Sequence, residues 1–448
     1  MSSTVTSAVV AVLGRGPAAA AQLVQSLGVS QATISRAVAE LERQQQVLRT
    51  GTRRGTRYLL RRARAELGSQ WPIFRLDADG TPQPCGTLNA VAPEGYYAAA
   101  GPGRLSGLYT ALPYYLLDAW PAGFLGRTIP TRHADLELPA RVGDWTEDHF
   151  LTYLTRRAND SSGDLVVGAE ALDRHLTGVD APLVVTREER HIAYPEFATA
   201  AMSGAPPGSS AHGEHPKFTV CLAAGARRTH VLVKFSPPRS SAVGQRWADL
   251  LRAEHLAHGL LNENGIASCT SQLLEHGERV FLECERYDRI GATGRRGVVS
   301  LHALDTARYG RLDNWTAAAD RLFADALLSE EGAERIRLLD AFGALIGNTD
   351  RHFGNLSLFD DYANALRLAP VYDMLPMVFA PHDGQVLARA FTPPPARAAW
   401  LASWASARRL AEEYWERLRS DAGLSSEFRA VCAASLQALQ AAPHRSGA

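Results

Sequence analysis

The spacing of hydrophobic residues changes several times near the start of the chain. Apolar positions three and four residues apart predict helices over residues 4–13 and 18–27, and a longer third helix over 30–46. Ser30 is a suitable N-cap for the third helix. Alternating residues interrupted by two glycines then predict a β-hairpin over residues 47–60.

This order of helices and hairpin is typical of a winged helix-turn-helix, and we predict such a domain over residues 1–64. The segment holds ten arginines and two acidic residues, a net charge of +8. Because the whole chain is neutral, the remaining residues carry −8. This asymmetry is expected when a basic module binds an anionic partner and the rest of the protein does not. The alternative is a small helical protein–protein module with a solvated basic face.

The winged helix-turn-helix prediction assigns contacts with double-stranded DNA. The second helix of the motif, which is the predicted helix over 30–46, lies in the major groove. The hairpin reaches phosphates or the minor groove. The segment resembles bacterial winged-helix regulators, and operator-binding proteins of this type are usually dimers, so we expect a homodimer. The expected DNA-contacting side chains are Ser30, Gln31, Thr33, Ser35, Arg36, Arg53, Arg54 and Arg57.

The rest of the chain combines strand and helix patterns. Strands are predicted over 71–88 as a two-stranded piece, and over 219–224, 229–236, 268–276 and 279–289. Helices are predicted over 112–127, where the helix runs into a turn, and over 245–262. From about residue 299 onward the pattern is mainly helical. The sequence therefore predicts a multidomain α+β protein.

Composition excludes several classes of protein. No run of about 18 apolar residues is present, so we expect no membrane span. The apolar stretch near the start has no basic residues before it, which argues against a signal peptide. The five cysteines lie far apart and form no CxxC pair, so the sequence predicts neither a zinc site nor a disulfide framework. A reducing cytoplasm is the expected location.

The segment GNTDRHFGN, residues 347–355, carries the clearest chemical signal. It places Asp350 and Asn355 five residues apart, and Asp373 follows a strand-like apolar run. Protein-kinase catalytic loops have this spacing, with a later aspartate that completes the metal site. An aspartate can orient the attacking hydroxyl and accept its proton, while amide and carboxylate oxygens suit Mg²⁺. The alternative is that both aspartates cap helices.

Lysine is rare in this chain. Only Lys217 and Lys234 occur among 47 basic residues, and a retained lysine suggests a position that needs a compact ammonium. Lys234 ends an alternating strand and Glu254 lies in the next predicted helix, so we expect a kinase-type Lys–Glu pair. A hinge strand whose backbone contacts adenine is then predicted around Glu283 and Glu285. A surface salt bridge is the alternative.

Together, these motifs resemble the HipA family of serine/threonine kinases. The resemblance rests on GSSAHGEHPKF (208–218), VLVKFS (231–236), ECERYDR (283–289), GNTDRHFGN (347–355) and PVYDMLP (370–376). The fused N-terminal segment is similar to the YjjJ-like branch of that family. The resemblance implies a toxin-like protein kinase that uses ATP and Mg²⁺ and phosphorylates itself. It also implies a HipA-like N-terminal subdomain over 70–200, a kinase N-lobe over 201–290 and a helical C-lobe over 291–440.

The resemblance also implies roles for individual residues of the predicted active site. Asp350 would be the catalytic base. Asn355 and Asp373 would bind Mg²⁺. Lys234, held by Glu254, would contact the phosphates of ATP.

A loop over residues 208–217 would replace the glycine-rich loop of other kinases and cover the phosphates. This implies that Ser209, Ser210 and Lys217 belong to the ATP-binding residues. Ser210 matches the family's inhibitory autophosphorylation serine, and Ser209 is the alternative. His215 stands where the family usually has glutamine, and we expect it to be a solvated loop residue, with an adventitious metal ligand as the alternative.

The expected partners are a protein substrate and double-stranded DNA. Members of the HipA family are associated with aminoacyl-tRNA synthetases, which makes such an enzyme a candidate substrate. The alternative function is a DNA-binding transcriptional regulator whose kinase fold is inactive or senses a nucleotide. A third alternative is a kinase that acts on a small molecule.

Overall fold

The computed structural model describes residues 2–64, 66–100, 103–179, 181–203 and 215–443. Helices and mainly antiparallel sheets both contribute to this part of the chain, so the fold is α+β, as predicted. The loop that carries Ser209 and Ser210 lies outside the described residues.

The N-terminal unit consists of α1 (Ser2–Leu13), α2 (Ala20–Leu27), α3 (Gln31–Arg43) and a hairpin of β1 (Val47–Thr50) and β2 (Arg57–Leu60). Ser30 begins α3 as predicted, because its hydroxyl accepts the backbone N–H of Thr33 at 3.3 Å. Ile34, Val38 and Leu41 recur at helical spacing and are buried against α1 and α2. The predicted order of helices and hairpin is therefore present.

The hairpin of the N-terminal unit continues into the body of the protein through backbone hydrogen bonds. Ala92 N–H donates to Leu60 O at 2.9 Å, and Arg62 N–H donates to Ala90 O at 2.9 Å. Beyond them, the buried guanidinium of Arg64 contacts the carboxylates at the start of helix 147–156. These contacts fix the N-terminal unit against the next sheet.

A second antiparallel sheet follows the N-terminal unit. Its strands are β3 (Gln70–Leu76), β4 (Pro82–Ala90), β5 (Tyr96–Ala100), β6 (Gly107–Tyr109) and β7 (Leu165–Val167), in the order β6-β5-β4-β3-β7. Between them lie the helices α4 (Tyr114–Leu117), α5 (Gly123–Gly126), α6 (Ile129–Arg132) and α7 (Glu147–Arg156), with α8 (Ala169–Thr177) after β7. The sequence predicted only β3 and β4, because the three shorter strands lack a clear alternation.

A third sheet carries the predicted lysine strand. In chain order its elements are β8 (Val184–Thr186), α9 (Arg190–Ser203), β9 (Lys217–Ala224), β10 (Arg227–Phe235), α10 (Ala242–Glu263), β11 (Ser271–His276) and β12 (Arg279–Glu285). The strand order is β11-β12-β10-β9-β8. Side chains such as Val233 and Phe281 pack towards α9, while Leu282 and its neighbours pack against α10. Side chains that alternate with Val233 along β10 therefore face α10.

The C-terminal part is mainly helical, as predicted. It contains β13 (Arg289–Ile290), β14 (Gly294–Arg295), β15 (Val298–Ser300), α11 (Leu301–Arg308), α12 (Trp315–Ala324), α13 (Glu330–Leu345), β16 (Ser357–Phe359), β17 (Arg367–Leu368), α14 (Leu401–Ser420) and α15 (Ser426–Ala441). Phe342, Tyr414 and Trp415 fill the core between α13 and α14. Among the described residues, no helix combines the length and apolar character that crossing a membrane requires.

Buried carboxylates join the second sheet to the C-terminal part. Asp360, just after β16, accepts the hydroxyl of Tyr114 at 2.8 Å and the backbone N–H of Tyr362 at 2.7 Å, and it pairs with Arg104. Asp164 accepts the hydroxyl of Tyr362 at 2.9 Å in the same region. Because these carboxylates are buried and bonded from both sides, the two parts form a continuous structure.

Replacement of Asp360 by alanine tests this joint. Asp360→Ala leaves Arg104 partly buried without its carboxylate and removes the acceptor of Tyr114, so we expect the free energy of unfolding to fall by about 3–5 kcal/mol. The matched control is Asp361→Ala, since Asp361 is exposed and only closes a turn, with an expected loss of about 1 kcal/mol. Urea unfolding followed by circular dichroism measures both. Equal losses in the two variants would show that the joint contributes no special stability.

Candidate active site

Lys234 and Glu254 form a buried ion pair between β10 and α10. Lys234 Nζ lies 2.6 Å from Glu254 Oε1 and 2.8 Å from Oε2. Both side chains are almost fully buried, so the pair is not the surface salt bridge that the sequence left open. Lys234 alternates with the residues packed on α9 and therefore faces α10, where Glu254 projects back.

Asp373 is the third member of this charged group. Its carboxylate contacts Lys234, and its backbone N–H donates to Glu254 Oε1 at 3.2 Å. Its backbone has φ +55°, a left-handed conformation that costs free energy for a residue other than glycine. Burial opposes ionisation of Asp373, but Lys234 and then Lys217 lower its pKa to about 2. The contacts thus hold an ionised carboxylate in a strained backbone position.

The charges of the group stabilise one another. Burial opposes the charge of Lys234, but Asp373 and Glu254 raise its pKa well above the ordinary value. Burial raises the pKa of Glu254, and Lys234 opposes this change. Removal of Lys234 would therefore leave two neighbouring carboxylates without their counter-charge.

The predicted catalytic loop follows α13 and is tied to Asp373 by a residue that the sequence analysis missed. Asn348 donates its side-chain amide to Asp373 O at 2.9 Å, and its side-chain oxygen accepts Asp350 N–H at 3.0 Å. Asn355 is buried and donates its side-chain amide to Asp350 O at 2.9 Å. Both asparagines therefore set the backbone position of Asp350.

Two neighbours of Asp350 support the loop in different ways. The Arg351 guanidinium donates to the buried Asp340 at 3.1 Å. The ring of His352 accepts Gly354 N–H at 3.0 Å, and its other nitrogen lies 4.0 Å from an oxygen of Asp350. The Asp350 side chain is 52% exposed, and its partial burial raises its pKa while His352 lowers it. Asp350 is thus an accessible carboxylate on a braced loop.

A cavity of about 940 Å³ lies between the third sheet, the short helices α5 and α6 and the segment at Asp373. Among the residues that line it are Lys217, Leu232, Lys234, Glu285, Tyr287 and Asp373. Asp350 and His352 instead line a smaller pocket of about 360 Å³ on the C-terminal part. Lys217 and Lys234, two of the predicted ATP-binding residues, therefore line the larger cavity, and the predicted base lines the smaller one.

Two residues of the predicted site have surroundings that differ from expectation. Glu283 lies on the α9 face of β12, where both of its oxygens are within 2.9 Å of Arg190 Nη1, so its carboxylate does not face the cavity. The prediction that His215 is a solvated loop residue is wrong. Its ring packs on Trp247 with centroids 4.5 Å apart, and both ring nitrogens are buried without a hydrogen-bond partner among the described residues. Burial, Lys234 and Lys217 lower its pKa well below the ordinary value.

Comparison with known proteins gives the family. Residues 67–176 match the model of the YjjJ-like toxin, middle domain, and residues 209–442 match the HipA-like C-terminal domain. The chain is 36% identical over 424 residues to Toxin YjjJ of Escherichia coli (strain K12), covering 93% of this chain and 94% of that relative. The chain belongs to the HipA-like family of toxins, in its YjjJ-like branch.

Two solved structures are more distant. A chain from the complex of the Shewanella oneidensis MR-1 toxin–antitoxin system HipA, HipB and its operator DNA aligns with a TM-score of 0.49 and 15% identity, covering 83% of this chain and 96% of that chain. The Helicobacter pylori proinflammatory kinase CtkA aligns with a TM-score of 0.36 and 13% identity, covering 50% of this chain and 86% of that chain. Family membership rests on the sequence matches.

The charged group predicts a pH-dependent loss of stability on removal of Lys234. In Lys234→Met, the pKa of Glu254 rises further, and a carboxyl with a raised folded-state pKa loses stability as pH rises above its unfolded value. We expect the variant to lose about 3–5 kcal/mol of unfolding free energy at pH 7 and clearly less near pH 4.5. Urea unfolding at both pH values measures this difference.

Lys217→Met is the matched control for this measurement. Lys217 is opposite Lys234 in the strand register and burial lowers its pKa, but among the described contacts it forms no ion pair with Glu254. We expect its effect on stability to change little with pH. The same pH dependence in both lysine variants would contradict the assignment of Lys234 as the counter-charge of Glu254.

Proposed function

We propose that the protein is a serine/threonine protein kinase of HipA type that uses ATP and Mg²⁺, is toxin-like and phosphorylates itself. The observation that carries the proposal is the convergence of the Lys234–Glu254 pair and Asp373 at the edge of a large cavity. The asparagine-braced loop of Asp350 is tied directly to Asp373. Membership of a toxin family supports the same function.

The cavity suits a nucleoside triphosphate. Its volume of about 940 Å³ is in the range of sites for ligands of this size. The ammonium of Lys217 faces the cavity, donates no hydrogen bond to a described residue, and has a pKa lowered by burial. An anion would compensate this partly buried cation, and Lys234 supplies a second positive charge for phosphates. Glu285 and Tyr287 also line the cavity, and we propose that the backbone of this segment contacts the base as a hinge.

The side chains of Asp373 and Asn355 are of the types that suit Mg²⁺. Asp373 supplies an ionised carboxylate, and Asn355 supplies a side-chain oxygen, since its NH₂ group is the donor to Asp350 O. These are the hard oxygen ligands that Mg²⁺ prefers, so Asn355 and Asp373 would hold the ion. When bound, it would neutralise negative charge on the phosphates during transfer.

Asp350 is the proposed catalytic base. Its exposed carboxylate can approach the hydroxyl of a serine or threonine in a protein substrate and accept its proton. Asn348 and Asn355 hold its backbone, so the carboxylate is positioned before the substrate arrives. The proposed sites of autophosphorylation are Ser210 and, as the alternative, Ser209.

Asp350→Asn tests the kinase proposal. The amide keeps the shape of the side chain but cannot accept a proton, so we expect phosphotransfer to fall by about 10²–10⁴-fold while ATP still binds. Purified protein is incubated with ATP and Mg²⁺, and phosphate on Ser209, Ser210 or an added protein is mapped by peptide mass spectrometry. Asp361→Asn removes an exposed carboxylate elsewhere and should leave transfer unchanged. Undiminished transfer in Asp350→Asn would refute its role as the base.

The exposed basic surface of the N-terminal unit favours a second activity, binding of double-stranded DNA. Gln31, Ser35 and Arg36 are exposed on α3, and Arg53 and Arg57 are exposed on the hairpin. We propose that α3 contacts base edges and the hairpin contacts phosphates. The kinase and the DNA-binding unit would then act in one protein, which allows it to regulate its own promoter.

Not every residue predicted for this surface is equally available. Ser30 and Thr33 bond each other at the start of α3, with hydroxyl oxygens 2.9 Å apart, and Thr33 is half-buried. Both residues contribute to the cap at the start of α3, and Ser30 is nevertheless exposed. The side chain of Arg54 lies outside the description. The proposal therefore depends mainly on Gln31 and the exposed arginines.

Arginine variants test DNA binding. We expect Arg36→Ala to weaken binding to the upstream promoter region by about 1–3 kcal/mol. We expect Arg53→Ala and Arg57→Ala each to reduce the slope of log affinity against log salt concentration by about 1. Arg43→Ala is the control, because Arg43 lies in the last turn of α3 and pairs with Glu40. Fluorescence anisotropy at several salt concentrations measures the affinities. No binding at low salt, or equal loss with Arg43→Ala, would contradict the proposal.

A further inference from the structure

Three metal-ligating side chains meet beside the proposed active site, although they are distant in sequence. They are His258 on α10, Cys269 just before β11, and Cys284 on β12. All three are buried, and one ring nitrogen and the two sulfurs lie within 4.8 Å of one another. The sequence predicted no zinc site because cysteine spacing alone does not reveal this arrangement.

The fold brings the three residues together through β11 and β12. Cys284 is opposite Ser271 in the ladder of these strands. Cys269 donates its N–H to Val371 O at 2.8 Å, which places it against the segment that leads to Asp373. His258 lies one helical turn after Glu254, so its ring projects towards the same strands.

The imidazole of His258 has an orphaned nitrogen. Its Nδ1 lies 3.0 Å from Ser271 Oγ, which also lies 2.9 Å from His255 Nδ1. When the Ser271 hydroxyl donates to His255 Nδ1, its oxygen accepts the Nδ1–H of His258. The Nε2 atom of His258 is then the unprotonated nitrogen and carries a lone pair. That Nε2 atom is buried and has no hydrogen-bond partner among the described residues. A buried nitrogen without a partner points to a missing ligand, and metal-binding histidines commonly donate their other N–H in this way.

We propose that His258, Cys269 and Cys284 form a binding site for a thiophilic d¹⁰ cation such as Zn²⁺, separate from the proposed Mg²⁺ site. Two sulfurs and an imidazole are ligands for soft or borderline metals and not for Mg²⁺. Bond lengths of about 2.0–2.3 Å put the ligand atoms of a tetrahedral site about 3–4 Å apart, so the present cluster needs only small shifts.

The carboxylate of Glu254 borders the three ligands. Its Oε1 lies 3.6 Å from Nε2 of His258, but it lies outside the group whose ligand atoms are all within 4.8 Å of one another. Cation binding releases thiol protons to solvent, because contact with Cys269 and burial raise the pKa of Cys284.

The site is coupled to the Lys234 pair. Glu254 Oε1 also lies 2.6 Å from Lys234 Nζ, so a cation on Nε2 of His258 attracts this oxygen and weakens the ion pair. Cys269 and Cys284 are also among the residues that line the 940 Å³ cavity. We therefore expect the cation to inhibit phosphotransfer. This inhibition rests on the proposed kinase function, whereas cation binding itself does not.

Titration with Cd²⁺ tests the site in the full chain. After treatment with a chelator, the protein is titrated with Cd²⁺, and the sulfur-to-cadmium charge-transfer absorbance in the ultraviolet is recorded. Calorimetry with Zn²⁺ gives the stoichiometry and affinity. We expect one equivalent to bind, and Cys269→Ser, Cys284→Ser and His258→Gln each to weaken binding by at least about tenfold.

Cys85→Ser is the matched control, because Cys85 is a thiol on β4 of the second sheet. It should bind the cation as the unmodified protein does. Absence of the sulfur–cadmium band in the unmodified protein overturns the proposal, and this result does not depend on whether the variants fold. Full-strength binding in a folded Cys269→Ser/Cys284→Ser variant overturns it equally.

Phosphotransfer measured in parallel separates the two proposals. Loss of transfer at one equivalent of Zn²⁺, with recovery on chelation, supports the coupling. Cation binding without any effect on transfer contradicts the coupling. Cation binding to a protein that transfers no phosphate under any condition supports the site and counts against the kinase function.

Discussion

The buried contact of Lys234 with Glu254 and Asp373 determines much of this architecture. Each of these charges would be costly in the interior alone, and each is tolerated because the others are present. The three residues come from β10, α10 and a segment more than a hundred residues later. Their pairing therefore fixes the third sheet relative to the C-terminal part.

The same contact explains the strained backbone at Asp373. A left-handed conformation is accepted there because the N–H of Asp373 reaches Glu254 and its carbonyl reaches Asn348. The strain is balanced by hydrogen bonds from two different elements, which keeps the carboxylate next to Lys234. Charge, backbone geometry and the position of the loop that carries Asp350 are thus parts of one network.

The sequence was sufficient where a pattern is local or a motif is ordered. Helical spacing and the Ser30 cap predicted α3, and alternation predicted β9 and β10. The Lys234–Glu254 pair was predictable because a strand followed by a helix returns the chain to the same sheet face.

Asn348 was overlooked although it stands two residues before Asp350, because its role depends on the distant Asp373. The burial of His215 depends on Trp247, which no local pattern links to it. Cys269 and Cys284 meet only through strand register.

The hairpin of the N-terminal unit has a mechanical consequence. The residues after β2 form backbone hydrogen bonds with the end of β4, and the buried Arg64 pairs with carboxylates of α7. The connection is therefore not a flexible linker. Rotation of the basic unit about this connection would break the backbone hydrogen bonds between residues 60–62 and 90–92. The unit and the body therefore turn together. When α3 binds a surface, the orientation of the 940 Å³ cavity relative to that surface is therefore fixed as well.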